Sequence, residues 1–420
     1  MQLKPKQTPS IRQALTVAAC TLLSAPAVRA QGTWELDSSL LFYSEQDRVR
    51  AIEPVVRLKK QISEDEHFAL QFVADSLTGA SPSGAVPTTT PQTFTSPSGN
   101  STYNTPANEI PLDPSFHDTR GAISFDWGRP LSRESRVVYQ GHVSKEFDYL
   151  STGVGATLSW DFNQRNTTLA AGASIGYDQV NPVGGAPVGL APMPTFPTVK
   201  ATSGDSDTKQ LADLLLGVTQ IISRTTLMQL NYTYGKESGY LTDPYKLVSV
   251  VDAGGNPVET LYEKRPDTRA RNALYWRTLS AFGKDRLDFS YRYYWDDWGL
   301  RAHTADLRYR FEFGGGHYLE PQLRYSLQSQ AADFYRPFLR QGESPQYASA
   351  DYRLSEMTTS TIGLKYGVAT RRDGEFAVRV GYMLQTGEDH PANAPGQLAN
   401  QDLFPDTKAL LFQVNYSLKF

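Results

Sequence analysis

Residues able to carry charge recur at intervals of two in the C-terminal half of the chain. Asp288, Ser290, Arg292, Tyr294 and Asp296 form one such set. Thr304, Asp306, Arg308, Arg310 and Glu312 form a second, and Glu320, Gln322, Arg324, Ser326 and Gln328 a third, with Tyr275 and Arg277 just before them. On a strand, residues two apart point to the same side, so each set is a ladder of charged and polar groups. Two kinds of chemistry fit it. The arginines Arg277, Arg292, Arg308, Arg310 and Arg324 would attract anionic or polar solute, with acids across the way setting up a transverse field. Alternatively, the same arginines pair with Asp288, Asp306, Glu312 and Glu320 as bridges that stiffen a wall facing water. Both readings stay open at the level of sequence.

Little else is equipped for catalysis. The chain has six histidines, none in a pair at metal-ligand spacing, and it shows no Gly-x-Ser-x-Gly elbow, His-Glu-x-x-His motif or Walker glycine loop. His303 follows Asp296-Asp297-Trp298-Gly299 closely enough for an imidazole and an acid pair to meet, where a loop-stabilising hydrogen bond is the simpler expectation than a metal. Asp205-Ser206-Asp207 reads as a solvated acidic loop. No metal, no cofactor and no enzymatic activity are expected.

Ladders of period two require strands, and the alternate parity supplies them. In Leu150–Phe162 the residues Leu150, Val154, Ala156, Leu158, Trp160 and Phe162 oppose Ser151, Gly153, Gly155, Thr157, Ser159 and Asp161. The chain ends in the same way, with Leu410, Phe412, Val414, Tyr416, Leu418 and Phe420 on one parity. Segments of about ten residues with one apolar face repeat from Thr33 onward, and about sixteen can be counted. Every second connector is short (61–66, 128–134, 163–166, 223–225, 283–286, 314–317, 369–375), whereas long ones fall at roughly 78–118, 178–208, 236–268, 329–350 and 386–407. Short turns on one side and long loops on the other are expected of an all-β transmembrane antiparallel barrel with short periplasmic turns and long extracellular loops. A soluble sandwich or secreted adhesin would bury its apolar face and divide into several domains at this length. The segment Ser81–Pro114 is low in complexity and is expected to be mobile.

Export is expected as well. Lys4, Lys6 and Arg12 precede an apolar stretch, Ala14–Val28, and Val28-Arg29-Ala30 fits a cleavage site, so residues 1–30 read as a secretory signal and 31–420 as one barrel. The lone cysteine, Cys20, falls in the leader, which leaves no thiol chemistry. The 41 basic and 44 acidic residues become 37 and 44 without Lys4, Lys6, Arg12 and Arg29, a net −7 that argues against a nucleic-acid partner. Mean hydropathy of −0.43, with no later apolar run long enough for a helix span, excludes a helical membrane protein and is compatible with alternating strands. The expected place is the bacterial outer membrane, reached by Sec-type export, with membrane lipid around the wall. The aromatic terminus at Phe420 resembles the signal that the barrel-assembly machinery reads.

Asp75-Ser76-Leu77-Thr78-Gly79-Ala80-Ser81-Pro82, Gly239-Tyr240-Leu241-Thr242-Asp243-Pro244-Tyr245-Lys246, Tyr262-Glu263-Lys264-Arg265-Pro266-Asp267-Thr268-Arg269 and Tyr291-Arg292-Tyr293-Tyr294-Trp295-Asp296-Asp297-Trp298-Gly299 resemble segments of a bacterial family of unknown function whose members look like exported outer-membrane barrels. The resemblance covers most of the mature chain and implies the fold, but no settled activity. Read physically, Asp243-Pro244-Tyr245 and Arg265-Pro266-Asp267 are stiff turns. Tyr240, Tyr245 and Tyr262 are placed to pack the long loop over or into the mouth. Glu263, Lys264, Arg265, Asp267, Arg269 and Arg271 would then bridge to the charged wall, which makes this loop the candidate constriction. A loop folded outward as a surface cap is the competing outcome. The function expected is a passive or gated conduit for small polar or charged solutes. The alternative is a non-conducting scaffold that docks or sheathes a periplasmic or surface partner.

Overall fold

The computed structural model describes residues 33–96, 99, 101–370 and 374–420; the leader expected over residues 1–30 lies outside them. Alternation gives strands, and the strands form a ring: β1 Thr33–Glu45, β2 Arg50–Gln61, β3 His67–Pro82, β4 Leu112–Pro130, β5 Ser135–Lys145, β6 Tyr149–Phe162, β7 Thr167–Val180, β8 Asp207–Ile221, β9 Thr226–Gly239, β10 Thr268–Phe282, β11 Asp285–Asp296, β12 Arg301–Glu312, β13 His317–Gln328, β14 Met357–Ala369, β15 Glu375–Gly387 and β16 Thr407–Lys419. Each pairs antiparallel with its neighbours in chain order, and β16 closes on β1 from Glu35↔Lys419 to Glu45↔Ala409. The Phe420 amide donates to the Trp34 carbonyl at 2.9 Å, and the Trp34 amide returns the bond at 2.8 Å. A closed ring leaves no strand edge unpaired, which is what hydrocarbon demands of a spanning sheet.

Register keeps the two parities on two faces. Trp276 opposes Tyr291, and Phe289 opposes Leu307, all outward. The outward set is exposed although it is apolar: Ile175 is 65% accessible, Ile362 59% and Leu410 59%. A continuous apolar surface of this extent requires a non-aqueous surrounding. Near the short-turn end, aromatic residues collect outside, among them Trp34, Trp127, Trp160, Phe311 and Phe376, with Lys60 over the Trp34 ring at 5.5 Å and Arg129 over Trp127 at 5.3 Å. Aromatic rings at the interface, with cations reaching past them to water, make the girdle of an outer-membrane barrel. His303 also faces outward, its ring stacked 4.7 Å from Tyr293 and bonded to the Tyr291 hydroxyl at 2.6 Å, away from the inward Asp296. It therefore serves strand packing.

The turns at one end are tight. Between Phe282 and Asp285 only Gly283-Lys284 intervenes, with Gly283 at φ 66, as a two-residue hairpin turn requires. Five connectors at the other end are long, 83–111, 181–206, 240–267, 329–356 and 388–406, and the apolar cores lie there. Val248, Val250, Leu339, Ala348 and Ala350 form one cluster, and Val86, Val251, Phe338 and Leu398 another. The low-complexity segment expected to be mobile is part of this assembly: Ala85, Phe94 and Tyr103 pack together, and Gln92–Thr95 pairs with Thr102–Thr105.

Candidate functional site

The inward parity of β10 to β15 carries the ladders. Most of their charges are paired, either across strands or two residues apart along one strand. Arg277 makes a two-pronged contact with Asp288, Nε to Oδ1 at 2.9 Å and Nη2 to Oδ2 at 2.7 Å. Arg308 lies 2.9 Å from Asp306, which also accepts from Gln322 at 2.6 Å. Arg310 lies 3.0 Å from Glu312 and 3.6 Å from Glu375, and its guanidinium covers the Tyr318 ring at 3.5 Å. Arg379 reaches Glu320 at 2.9 Å, and Lys365 reaches Glu375 at 3.0 Å. Most of these pairs retain access to water, with Arg277 37% and Asp288 23% exposed. Among the described residues no carboxylate forms an ion pair with Arg292 or Arg324; Arg292 stacks on Tyr294 at 5.6 Å.

The wall from β6 to β8 is different in kind. Its inward residues include Gly153, Gly155, Gly172, Gly176 and Gly217, and they leave room for neighbouring side chains to lie flat. A Cβ on Gly153 would stand 2.4 Å from the His142 ring, and one on Gly217 2.8 Å from Asn231. Glycine inside a strand weakens it and marks close approach. Two cavities border this wall, one of about 490 Å³ that includes Asp126, Gln140, His142 and Asp178, and one of about 400 Å³ that includes Gln140, Asp213, Arg271 and Arg292. A sixteen-strand ring is wide enough to hold water along its axis.

Loop 240–267 is the hub of the other end. Its hairpin, Leu247–Val251 against Pro257–Tyr262, bonds to all four other long loops. The Leu247 amide donates to Ser83 at 2.8 Å, Tyr262 to Ala191 at 3.0 Å, Lys264 to Ala348 at 2.8 Å, and Gln397 donates to Gly254 at 2.9 Å. Loops 83–111 and 388–406 also meet, through Gln401 and Asn108 at 2.7 Å. These loops start from strands spread around the ring, so their meeting spans the mouth as a cap. Gly255 and Gly396, at φ 78 and φ 50, permit the tightest crossing, since a Cβ on Gly396 would stand 2.0 Å from the Gly254 carbonyl.

Charge locks the cap. Arg265 lies 2.7 Å from both Glu263 and Asp351, and Arg353 joins Asp351 at 2.9 Å to Asp243 at 2.6 Å. Glu263 also accepts from the Asp243 amide at 2.7 Å and from the Ser349 hydroxyl. Glu263 and Asp351 are buried. Burial pushes the Asp351 carboxyl up, but Arg353 and Arg265 beside it hold it well below the usual carboxylate range. Asp243 is lowered against its burial by Arg353, Lys246 and Arg265. Glu263 moves the other way: burial, reinforced by Asp243 and Asp351, raises it more than Arg265 lowers it. Burial also lowers the Lys246 ammonium, which donates to Ser81 at 3.2 Å and to the Pro82 carbonyl.

The two residue sets singled out in the sequence thus occupy two places. Arg277, Asp288, Arg292, Asp306, Arg308, Arg310, Glu312, Glu320 and Arg324 share the inner wall. Tyr240, Asp243, Tyr245, Tyr262, Glu263 and Arg265 belong to the cap, with Tyr262 buried and the Tyr245 hydroxyl donating to Asp148. The expected bridging of loop to wall divides accordingly. Glu263 and Arg265 bind the neighbouring loop through Asp351, and only the residues at the head of β10 reach the wall: Arg269 at 2.6 Å from Asp296, and Arg271 at 3.3 Å from Asp213 and 3.0 Å from Glu237. Asp267 joins the strand ladder, its carbonyl accepting from the Gly239 amide at 2.8 Å. Sequence reasoning missed Asp351, Arg353 and Ser349. Their one local signal is Asp351-Tyr352-Arg353, an acid and a base two apart.

Residues 12–418 match the family model described as "Protein of unknown function (DUF3570)". Among curated proteins none matches the chain. Solved structures similar to it include a bacterial polysaccharide outer membrane secretin, 7% identical with a TM-score of 0.46, covering 94% of this chain and 99% of that one. OccK2 (OpdF) of Pseudomonas aeruginosa is 8% identical with a TM-score of 0.40, covering 93% and 98%. OccAB1 of Acinetobacter baumannii is 10% identical with a TM-score of 0.35, covering 93% and 96%. At such distances, what the barrel does must be read from its own wall and cap.

Proposed function

Because the chain belongs to the DUF3570 family, whose description assigns no activity, we propose from the barrel's own geometry that it is a capped outer-membrane conduit for small polar or charged solutes. The observation that supports this most is the inner wall. Sixteen strands close around an inner face rich in charged, hydroxylated and glycine residues, and most ion pairs among them keep contact with water. A barrel whose interior only supported the fold would gain more from apolar packing, since paired charges are costly to dehydrate. The cap adds control of access: solute enters or leaves at the loop end when the interlocked loops part. Membrane lipid surrounds the wall, Sec-type export delivers the chain, and the strand ending at Phe420 engages the assembly machinery.

Five loops joined across the mouth also favour a second reading, a non-conducting barrel that docks a periplasmic or surface partner. Planar-bilayer recording from purified, folded protein separates the two. Unitary currents, steady or intermittent, support the conduit, and silence at all voltages supports the scaffold. Arg308→Glu with Arg310→Glu should move the reversal potential toward cation preference if the wall sets selectivity.

A further inference from the structure

Among the described residues, each lumen-facing lysine and arginine of the strands has a carboxylate oxygen within 4.0 Å, with two exceptions. The exceptions are Arg292 and Arg324. Both are exposed, and both lie on the inner face of the charged wall. They are also close to each other in the register. Arg292 pairs with Thr304, which pairs with Ser326, and Arg324 is the next inward residue on the same strand as Ser326. Two strand spacings separate the backbones, roughly 10 Å, a span that two arginine side chains reaching over the lumen readily bridge.

The ground between them is hydroxylated. Thr304 and Ser326 bond to each other at 2.8 Å, and Ser290 lies beside them in register with Asp306. Asp306 is the acid of this patch and stands opposite Arg324 in the register, but its carboxylate turns to Arg308 at 2.9 Å and Gln322 at 2.6 Å and makes no ion pair with Arg324, with the residue 7% exposed. Arg292 also borders the lumen cavity of about 400 Å³. A wall that neutralises its other inward cations has therefore left two guanidiniums open side by side. A guanidinium presents a planar fork of donors that matches the oxygens of a carboxylate or phosphate.

We propose that Arg292 and Arg324 form a binding site for a small oxyanion-bearing solute, a carboxylate or a phosphate, held against the Thr304–Ser326 hydroxyls. The assignment rests on the conduit reading for its role, since a solute held here lies on the way through the lumen, but the site itself is a matter of binding. The ion pairs around it keep the wall rigid, and the two free forks select the solute.

The test is calorimetric titration of full-length, detergent-folded protein with succinate and, separately, with glycerol phosphate. Wild type should bind at least one of them saturably, with affinity falling as salt rises. Arg292→Gln with Arg324→Gln should weaken that binding tenfold or more, while Lys236→Gln, an outward cation, leaves it unchanged. Arg292→Lys with Arg324→Lys keeps the charges, removes the forks and should fall between, which also serves if the glutamine variant does not fold. Preference between succinate and glycerol phosphate identifies the oxyanion. No saturable binding of either probe to wild type, or equal binding by the double variants, overturns the site. Bilayer recording tells this failure from that of the conduit. A protein that binds but never conducts retains the site without the conduit, and a conducting protein whose double variants bind as wild type retains the conduit without the site.

Discussion

In the cap, Arg265 stands 2.7 Å from Glu263 and Asp351, whose side chains are 0% exposed; in the wall, Arg277 stands 2.7 Å from Asp288, with side chains 37% and 23% exposed. The groups and the distance are the same, yet the surroundings differ. Coulombic attraction is strong where water is excluded and weak where it is admitted, and the cost of stripping water from the charges follows the same order. The cap charges are therefore committed to structure, because they satisfy one another where water cannot. The wall pair keeps contact with water and is worth correspondingly little. Solvent access therefore sets how much a charge pair contributes to the stability of this barrel.

The most severe way to break this contrast is to remove the shared cation of the cap. Arg265→Ala leaves buried Glu263 without its guanidinium and Asp351 with Arg353 alone, and should cost about 3 kcal/mol in the cap. Amide exchange in Leu247–Val251 and Pro257–Tyr262 should accelerate, while the barrel still migrates as a heat-modifiable folded band. Next in size is the lipid face of the wall. Leu158 points outward in register with Ala171, and Leu158→Arg should cost about 2–4 kcal/mol if it lies near the midplane, read from a urea titration of the folded band.

Acidity sharpens the comparison inside the cap. Asp351 and Asp243 hold a proton less tightly when folded, so their contribution is complete above the ordinary 3.8 and is lost as pH falls through the lowered values. Glu263 is the reverse: its contribution is complete below 4.5 and is lost as pH rises through its raised value. Asp351→Asn should abolish most of the acid-side loosening and weaken the cap at neutral pH. Glu263→Gln should weaken it far less, because the substitution mimics the protonated form that burial favours. Exchange rates corrected for intrinsic pH dependence measure both. The smallest effect on stability belongs to the wall: Arg277→Gln should change it by about 1 kcal/mol or less, as expected of a half-exposed pair, checked by the same urea titration.

The barrel was legible in the sequence because its signal is local. A residue's parity decides its face, and a tight turn declares itself within four residues, so the sixteen strands and the inward set Asp288–Arg292–Asp306–Arg324 could be read directly. The cap was not legible to the same degree. Asp351 meets Arg265 across 86 residues and Arg353 meets Asp243 across 110, and nothing in either loop's own pattern names its partner. The segment Ser81–Pro114 looked mobile for the same reason: the Val86 amide finds its acceptor at Ser249, far along the chain. Parity places all five ladder arginines inside, but it cannot sort Arg292 and Arg324 from Arg277, Arg308 and Arg310. That distinction depends on which side chain each acid turns to: Asp306 stands opposite Arg324 in the register but engages Arg308 on its own strand.

The central claim is that a water-filled path runs through the ring behind a cap of interlocked loops. Single-channel recording of wild type beside a variant in which residues 247–262 are replaced by a short glycine-serine linker tests it most directly, with the heat-modifiable band certifying both folds. Small or intermittent unitary currents in wild type and larger, steady ones in the variant are the result expected. Two folded proteins that both stay silent, or that conduct identically, would contradict the account.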